Sequence, residues 1–320
     1  MKKNKIKDTG LEVTELSFGT SSLGSMPDTY GYEVPEQRAQ ETLKRFFQGP
    51  VNMLDTSRNY AMGESEKRIG IAIKENGGWP ENFILSTKID RNMETLVLDK
   101  KRTRESIEES LKTLNVDSVD ILFLHDPEYV KDVNDVTKKD GALDELFKIK
   151  EEGLAKAVGL AMGKINIMFP ILKNWDFDVI INHNRYTLLN READEMYSYA
   201  HSKNISIFNA APYAGGVLAK GPSNFKKITY QDVTEEKLAP AREIEKVCKK
   251  YNVEMGAAAL QFSMKDKRIT STLCGVTSVQ SIEKNLSWAQ TSIPEKFWKE
   301  LLKLPYSTKD PESERIFTPG

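Results

Sequence analysis

The sequence predicts an α/β fold, a (β/α)8 TIM barrel with a short N-terminal β-hairpin. Eight short apolar strand patterns alternate with helical patterns along the chain, which is typical of a closed parallel barrel. An open doubly wound sheet is the structural alternative, but the Gly-x-Gly-x-x-Gly phosphate turn of that fold is absent from the sequence. No Pro/Gly/Ser-rich linker or shift in composition divides the chain, so we expect residues 1–320 to form a single domain.

The predicted elements follow in order along the chain. Residues 3–7 and 11–13 flank Asp8-Thr9-Gly10 and indicate the hairpin. Apolar runs predict eight barrel strands, at 16–19, 51–55, 83–88, 120–124, 155–160, 179–181, 205–210 and 271–275. Apolar residues that recur on one helical face predict amphipathic helices between them, most clearly at 39–47, 65–76, 107–114 and 244–251. The tail from Pro305 is polar and aperiodic.

The composition indicates a globular protein and argues against several classes of function. Of the 320 residues, 39% are hydrophobic and 29% are charged, and the formal net charge is -1. Neither half is strongly basic and no apolar window reaches the length of a membrane span, so we expect no nucleic-acid and no membrane partner. The N-terminus lacks the apolar stretch of a signal peptide, and Cys248 and Cys274 form no CxxC pair, which favours a cytoplasmic protein. The sequence leaves the oligomeric state open.

Ionisable side chains follow three successive predicted strands. Asp55 ends the second strand, Lys88 ends the third, and His125 follows the fourth. Tyr60 lies shortly after Asp55. Because the C-terminal ends of barrel strands meet at the catalytic rim, we expect these four side chains to converge there.

Such a group can carry out acid/base chemistry on a carbonyl or an alcohol without a metal. A free tyrosine has a pKa of about 10, and we expect the ammonium of Lys88 to lower the pKa of Tyr60. Asp55 would hold Lys88 in place, and His125 would orient or polarise the substrate oxygen. Taken singly, Asp55 also fits a helix N-cap and Lys88 a solvated strand end, while Tyr60 and His125 fit packing roles. Their coincidence at one rim favours the catalytic interpretation.

Seven stretches spread over nearly the whole chain resemble the aldo-keto reductase family. They read LSFGT, LDTSRNYAMGESEKRIG, STKID, LFLHDPE, NRYTLL, AAPYAGGVLAKG and TLCGVTSVQSIEKNL. The resemblance implies hydride transfer to or from C4 of a nicotinamide cofactor, with a catalytic tetrad of Asp55, Tyr60, Lys88 and His125. It also implies that Tyr60 is the general acid in reduction and the general base in oxidation.

The resemblance also implies a cofactor site in the loops of the same rim. The implied contacts are Gly19, Thr20, His183, Ala211, Tyr213, Gly215, Gly216, Gly275, Thr277, Ser281 and Asn285. Among them, Gly215 and Gly216 would let backbone amides approach a pyrophosphate closely.

The nicotinamide contacts depart from the family pattern. The asparagine that usually follows the fifth strand is replaced by Met162, and the usual glutamine of the sixth strand is His183. We expect His183 to bind the carboxamide instead, the alternative being an ordinary, partly buried histidine. The stacking aromatic of the seventh strand is replaced by Ala210, with Tyr213 and Phe208 as the candidates to compensate.

The segment after the eighth strand favours NAD over NADP. Where family members that use NADP place cations, this chain has the neutral residues Gly275, Val276, Thr277 and Ser281. A 2′-phosphate without such partners loses charge-assisted hydrogen bonds of roughly 1.5–3 kcal/mol each. Lys284 could still reach a phosphate, so the use of NADP, or of both cofactors, stays open.

The substrate is expected to be a small polar molecule. RYTLL at 185–189 and NAAPYAGGVL at 209–218 resemble the branch of the family that contains the aldose and L-fucose or L-galactose 1-dehydrogenases, which implies a sugar. Tyr30, Tyr32 and Tyr129, in rim loops, are predicted to bind it, because phenols offer a stacking face and hydrogen bonds. Loop packing is the alternative for these tyrosines. A general aldehyde reductase and a cofactor-binding regulatory subunit with slow turnover are the alternative functions.

Overall fold

The computed structural model describes residues 1–315 and contains a closed barrel of eight parallel strands. An antiparallel hairpin of β1 (Lys3–Lys5) and β2 (Glu12–Thr14) precedes it. The barrel strands are β3 (Leu16–Gly19), β4 (Met53–Asp55), β5 (Ile84–Ile89), β6 (Val119–His125), β7 (Ala155–Met162), β8 (Val179–His183), β9 (Ser206–Ala210) and β12 (Ser271–Gly275). A second hairpin, of β10 (Lys227–Ile228) and β11 (Gln231–Asp232), lies between β9 and β12 in the chain. Barrel strands pair in chain order and β12 pairs with β3, which confirms the predicted fold and hairpin.

Helices pack around the outside of the barrel. In the described residues they are α1 (Pro27–Tyr30), α2 (Glu36–Phe47), α3 (Glu64–Glu75), α4 (Lys100–Leu114), α5 (Asn134–Thr137), α6 (Ala142–Glu151), α7 (Ile165–Asn174), α8 (Asp194–Ser202), α9 (Val217–Lys220), α10 (Glu235–Tyr251), α11 (Met255–Met264), α12 (Val279–Gln290) and α13 (Glu295–Leu301). Short 3-10 turns lie at Tyr60–Gly63, Pro127–Tyr129 and Ala214–Gly216. Within residues 1–315, no helix combines the length and apolar character that crossing a membrane requires.

Local sequence signals account for the ends and faces of these helices, as α4 illustrates. It begins after Asp99, whose carboxylate accepts a hydrogen bond from the backbone amide of Arg102 at 2.8 Å. It ends at Asn115, which adopts a left-handed conformation with φ 58°. The predicted apolar stripe is buried at Ile107 and Leu114. The other predicted helices are present as α2, α3 and α10, and α10 begins well before the predicted residue 244.

Apolar side chains fill the interior of the barrel. Phe123 and Phe208 are buried there and meet edge to face, with ring centroids 6.4 Å apart. A Cβ on Gly159 would lie 2.3 Å from the carbonyl oxygen of Val179, so only glycine fits at this close approach. The suggestion that Phe208 stacks on the nicotinamide is therefore wrong, because its ring belongs to the barrel core.

The segment that follows Pro305 lies against the rim of the barrel, although the sequence assigned it no element. The side-chain amide of Asn190 donates a hydrogen bond to the carbonyl oxygen of Lys309 at 2.8 Å. The hydroxyl of Thr229 donates to the carbonyl oxygen of Pro311 at 3.0 Å. These contacts hold the last described residues beside the β10–β11 hairpin.

Candidate active site

A cavity of about 470 Å³ opens at the C-terminal ends of the barrel strands, a volume typical of small-molecule sites. The structure brings the predicted catalytic residues Asp55, Tyr60, Lys88 and His125 together on its wall. The predicted ligand contacts that also line it are Gly19, Tyr30, Tyr32, Tyr129, His183, Ala211, Tyr213, Gly215, Gly216, Gly275, Thr277, Ser281 and Asn285.

Thr20 is the predicted cofactor contact that the structure does not bring to this cavity. Its side chain is fully buried, and its hydroxyl donates a hydrogen bond to the backbone carbonyl of Asp55 at 2.9 Å. The hydroxyl of Ser65 in α3 donates to the Thr20 hydroxyl at 2.9 Å. Thr20 therefore joins two rim segments from behind the cavity wall, which corrects its assignment as a cofactor contact.

Lys88 and Asp55 form a buried ion pair at the bottom of the cavity. The Lys88 Nζ lies 2.7 Å from the Asp55 Oδ2, and the two side chains are each 2% exposed. Lys88 also donates to the carbonyl oxygen of Thr56 at 2.6 Å, and the Ser86 hydroxyl donates to the Asp55 Oδ1 at 2.7 Å. A charge removed from water needs hydrogen bonds of this kind in addition to its partner. The pair is therefore held in one geometry.

Tyr60 lies beside this pair in a 3-10 turn. The Lys88 Nζ is 4.6 Å from the centroid of the Tyr60 ring. Burial, followed by the charge of Asp55, raises the pKa of Tyr60 well above its ordinary value. Burial is the larger cause and the carboxylate of Asp55 adds to it, so the pKa of Tyr60 lies above its ordinary value and not below it as expected. Tyr60 consequently keeps its proton and is poised as a donor.

His125 lies between two carboxylates. Its Nδ1 is 2.6 Å from the Asp90 Oδ1, and its Nε2 is 3.6 Å from the Asp126 Oδ2. Its ring meets the Tyr60 ring edge to face, with centroids 5.9 Å apart. Burial alone would lower the pKa of His125, but the charges of Asp126 and Asp90 outweigh burial and raise the pKa. The two rings therefore present proton-bearing groups to the same part of the cavity.

Tyr213 is the remaining candidate for the aromatic ring that stacks on the nicotinamide, and its side chain contacts α12. Its hydroxyl donates a hydrogen bond to the Asn285 Oδ1 at 2.5 Å, and its ring meets the Trp288 ring edge to face at 5.6 Å. The Asn285 amide in turn donates to the carbonyl oxygen of Ser281 at 2.7 Å. Three predicted cofactor contacts thus form one hydrogen-bonded chain along the cavity wall.

Ser281 caps the first turn of α12. Its hydroxyl accepts hydrogen bonds from the backbone amides of Thr277 at 3.0 Å and Ser278 at 3.1 Å. Lys284, one turn further along, lies 2.6 Å from the carboxylate of Glu254 and over the ring of Trp288. The lysine that could have reached a phosphate therefore has an acidic partner already.

The loop at Gly215 and Gly216 can only be made of glycine. The two residues have φ angles of 75° and 119°, in the left-handed region. A Cβ on Gly215 would come within 2.8 Å of the backbone nitrogen of Thr229 in the β10–β11 hairpin. The absence of side chains thus allows this hairpin to pack closely over the loop.

His183 borders the cavity and contacts the C-terminal segment. Its Nε2 lies 3.3 Å from the Oε2 of Glu312, which is buried. Glu312 is also paired with Arg185 and Arg315. Burial would raise the pKa of Glu312, but the His183 contact and the two arginines hold that pKa far below its ordinary value. Glu312 therefore stays ionised, and its carboxylate lies beside the Nε2 of His183.

Two of the three predicted substrate tyrosines, Tyr30 and Tyr32, form an aromatic group on the cavity wall. Tyr30 and Tyr32 have ring centroids 6.1 Å apart, and Tyr30 meets Tyr230 of the β10–β11 hairpin edge to face at 5.8 Å. The Tyr30 hydroxyl is 2.7 Å from the Ser21 hydroxyl. Tyr129 lies apart from this group, with the Nζ of Lys164 5.5 Å from its ring centroid.

The cavity-wall residues that were not predicted from the sequence include Asp90, Asp126, Tyr230, Trp288 and Arg315. Asp90 and Asp126 directly follow the strands that deliver Lys88 and His125, so the strand-end pattern could have revealed them. Tyr230 and Arg315 lie in aperiodic segments, where no local signal points to the rim.

In sequence and in fold, the chain is similar to known oxidoreductases. A family model described as the aldo/keto reductase family matches residues 15–304. L-galactose dehydrogenase of Arabidopsis thaliana is 31% identical over 292 residues, which cover 88% of this chain and 85% of that protein. D-threo-aldose 1-dehydrogenase of a Pseudomonas species is 26% identical over 318 residues, with coverage of 91% and 94%. The solved structure of aldo-keto reductase AKR11C1 from Bacillus halodurans, in its holo form, matches with a TM-score of 0.80 at 21% identity and covers 99% of this chain and 100% of that one.

Asp55→Asn should lower the free energy of unfolding by about 3–5 kcal/mol, because it leaves a buried ammonium without its charge partner. Chemical denaturation measures this loss. Lys88→Met in the Asp55→Asn background removes the orphaned charge and should recover part of the stability. Glu314→Gln, which breaks the exposed pair with Lys237, is the control and should have little effect. An Asp55→Asn variant as stable as the wild type would contradict the structural role of the pair.

Proposed function

The chain belongs to the aldo/keto reductase family and is a nicotinamide-dependent oxidoreductase, and from this premise we propose that it transfers a hydride between NAD(P)(H) and a carbonyl or hydroxyl group of a small polar substrate. The leading candidate for that substrate is a sugar. The observation that carries the proposal is the meeting of Tyr60 and His125 at one cavity, beside a buried lysine–aspartate pair.

Each catalytic side chain has a role that follows from its surroundings. When bound, the nicotinamide supplies or accepts the hydride. Tyr60 gives its proton to the substrate oxygen in reduction and takes it back in oxidation. The Lys88 ammonium, fixed by Asp55, stabilises the phenolate that this proton transfer leaves behind. His125 orients the substrate oxygen from the neighbouring strand end.

The residues of the rim fit a dinucleotide. Gly215 and Gly216 line the cavity, and we place the pyrophosphate beside their loop. Ala211, Tyr213 and Gly275 line the adjoining wall. The α12 end of the cavity, at Thr277, Ser281 and Asn285, would hold the adenosine. Because Lys284, on this wall, is already paired with Glu254, we favour NAD over NADP.

His183 is suited to bind the nicotinamide carboxamide in place of the missing asparagine. Its ring borders the cavity, and its Nε2 faces an ionised carboxylate, that of Glu312. A carboxylate accepts hydrogen bonds and cannot donate them, so in a neutral ring the proton lies on Nε2, facing Glu312, and Nδ1 has the lone pair. Nδ1 can then accept a hydrogen bond from the carboxamide NH2 group.

Two observations favour a sugar as the substrate. The relatives include two sugar dehydrogenases, acting by name on L-galactose and on D-threo-aldoses. The cavity wall carries Tyr30, Tyr32 and Tyr129, whose rings and hydroxyl groups match the apolar faces and hydroxyl groups of a polyol. A steady-state assay of sugars and simple aldehydes, each with NAD(H) and NADP(H), tests the assignment. Turnover of aldehydes alone would indicate a general aldehyde reductase, and cofactor binding without turnover would indicate a regulatory subunit.

Tyr60→Phe should lower turnover on the best substrate by about 10²–10⁴-fold, because it removes the proton donor. Cofactor affinity, measured by fluorescence titration, should stay near that of the wild type. Tyr251→Phe removes a phenol that donates to Glu300 on the outer helices and should turn over normally. If Tyr60→Phe kept most of its turnover, the role given to Tyr60 would be wrong.

Thr277→Arg should tighten binding of NADP(H) by roughly tenfold or more, since one charge-assisted contact to a phosphate is worth at least about 1.4 kcal/mol. Gln290→Arg, at the exposed far end of α12, adds the same charge as a control and should not change the preference. Titration of both cofactors against the three proteins measures it. A wild type that binds NADP(H) roughly a hundredfold more tightly than NAD(H) would contradict the proposed NAD preference.

A further inference from the structure

We propose that Asp90 is a positioning residue that keeps a proton on the Nδ1 of His125, so that the Nε2 of His125 donates a hydrogen bond to a carbonyl at low pH and accepts one from an alcohol at high pH. This inference rests on the proposed function, because it assigns His125 to the substrate oxygen. It extends that function by tying the direction of the reaction to one ring nitrogen.

The carboxylate of Asp90 is locked in place. It is fully buried just beyond β5, and its Oδ1 lies 2.6 Å from the Nδ1 of His125. Its Oδ2 accepts hydrogen bonds from the Ser57 hydroxyl at 2.5 Å and from the Asn59 backbone amide at 2.9 Å. The backbone amide of Asp90 donates to the Ser106 hydroxyl at 3.0 Å. Asp90 therefore has little freedom to turn away from His125.

The charge state of Asp90 fixes the proton on His125. Burial opposes ionisation, but the contact with His125 and the hydrogen bonds from Ser57 and Asn59 lower the pKa of Asp90. An ionised carboxylate only accepts hydrogen bonds, so the Nδ1 of His125 must be the donor in the 2.6 Å contact. In a neutral His125, whose ring carries a single proton, that proton is the one on Nδ1.

Other charged groups around His125 affect the pH at which the ring loses its second proton. The titratable or charged side chains that face the ring are Asp90 and Lys88 from the β5 end, Asp126 next to His125 itself, and Tyr60 from the turn after β4. The Asp126 Oδ2, 3.6 Å from Nε2, is too far for a hydrogen bond but favours the charged ring. Lys88 opposes that charge and is outweighed.

The two states of His125 suit opposite directions of the reaction. The charged ring has a proton on Nε2, which can be donated to a carbonyl oxygen. When the ring loses that proton, Nε2 has a lone pair, which can accept a hydrogen bond from the hydroxyl group of an alcohol. A histidine without the Asp90 contact could instead be neutral with its proton on Nε2 and donate in both pH ranges. Because of Asp90, the Nε2 of His125 can donate a hydrogen bond only when the ring is charged.

Nitrogen-15 NMR of the imidazole rings tests the proposal without any turnover. The chain has 3 histidines, so His125 can be assigned by comparison with variants of the other two. In the wild type, the neutral His125 should carry its proton on Nδ1. In Asp90→Asn, the amide oxygen should keep the hydrogen bonds from Ser57 and Asn59, which turns the NH2 group towards Nδ1. The neutral ring should then carry its proton on Nε2, and the pKa of His125 should fall towards its ordinary value of about 6.5.

Asp126→Asn is the matched control, because it removes the other carboxylate beside the ring. It should also lower the pKa of His125 but leave the neutral proton on Nδ1. A neutral wild-type His125 with its proton on Nε2 would overturn the proposal, as would an Asp90→Asn variant that keeps the proton on Nδ1. If Asp90→Asn fails to fold, the wild-type spectrum still decides. Failure to find a substrate leaves this test intact, so the two proposals can fail separately.

Discussion

The buried ion pair between Lys88 and Asp55 is the interaction on which the rest of the site depends. It follows from the register of two neighbouring strands, in which Asp55 of β4 lies opposite Ser86 of β5. Residues two apart on a strand share a face, so Lys88 points to the same side as Ser86 and reaches the carboxylate. The removal of two charges from water costs several kcal/mol per ion, which the short contact and its added hydrogen bonds offset. A shift of one residue in this register would turn Lys88 to the other face of the sheet.

The electrostatic surroundings of the Lys88–Asp55 pair favour the protonated forms of Tyr60 and His125. Burial and the nearby carboxylates hold the proton on Tyr60, while Asp90 and Asp126 favour the charged ring of His125. The site is thus rich in hydrogen-bond donors directed at the cavity. Burial, with the charge of Asp55 added to it, keeps the pKa of the phenol high although a lysine lies close to the Tyr60 ring.

The sequence predicts the barrel and the catalytic group well, because both depend on local patterns. Apolar periodicity reveals the strands, and the strand ends reveal where Asp55, Lys88 and His125 must meet. Prediction fails where contacts join distant segments: Glu312 reaches His183 from an aperiodic tail, and that contact leaves no local trace in the sequence. It also fails for Thr20 and for the pKa of Tyr60, because burial and the exact charge balance depend on how the whole rim packs.

The most direct test of the account is a single-turnover experiment with reduced cofactor in which both hydrogens at C4 of the nicotinamide are deuterium. The account predicts that the label arrives on the former carbonyl carbon of the product. It also predicts that Lys88→Met slows this transfer by at least about 10²-fold while cofactor affinity stays near that of the wild type. Transfer by Lys88→Met at the wild-type rate, or a product without deuterium on that carbon, would contradict the central role of the buried pair.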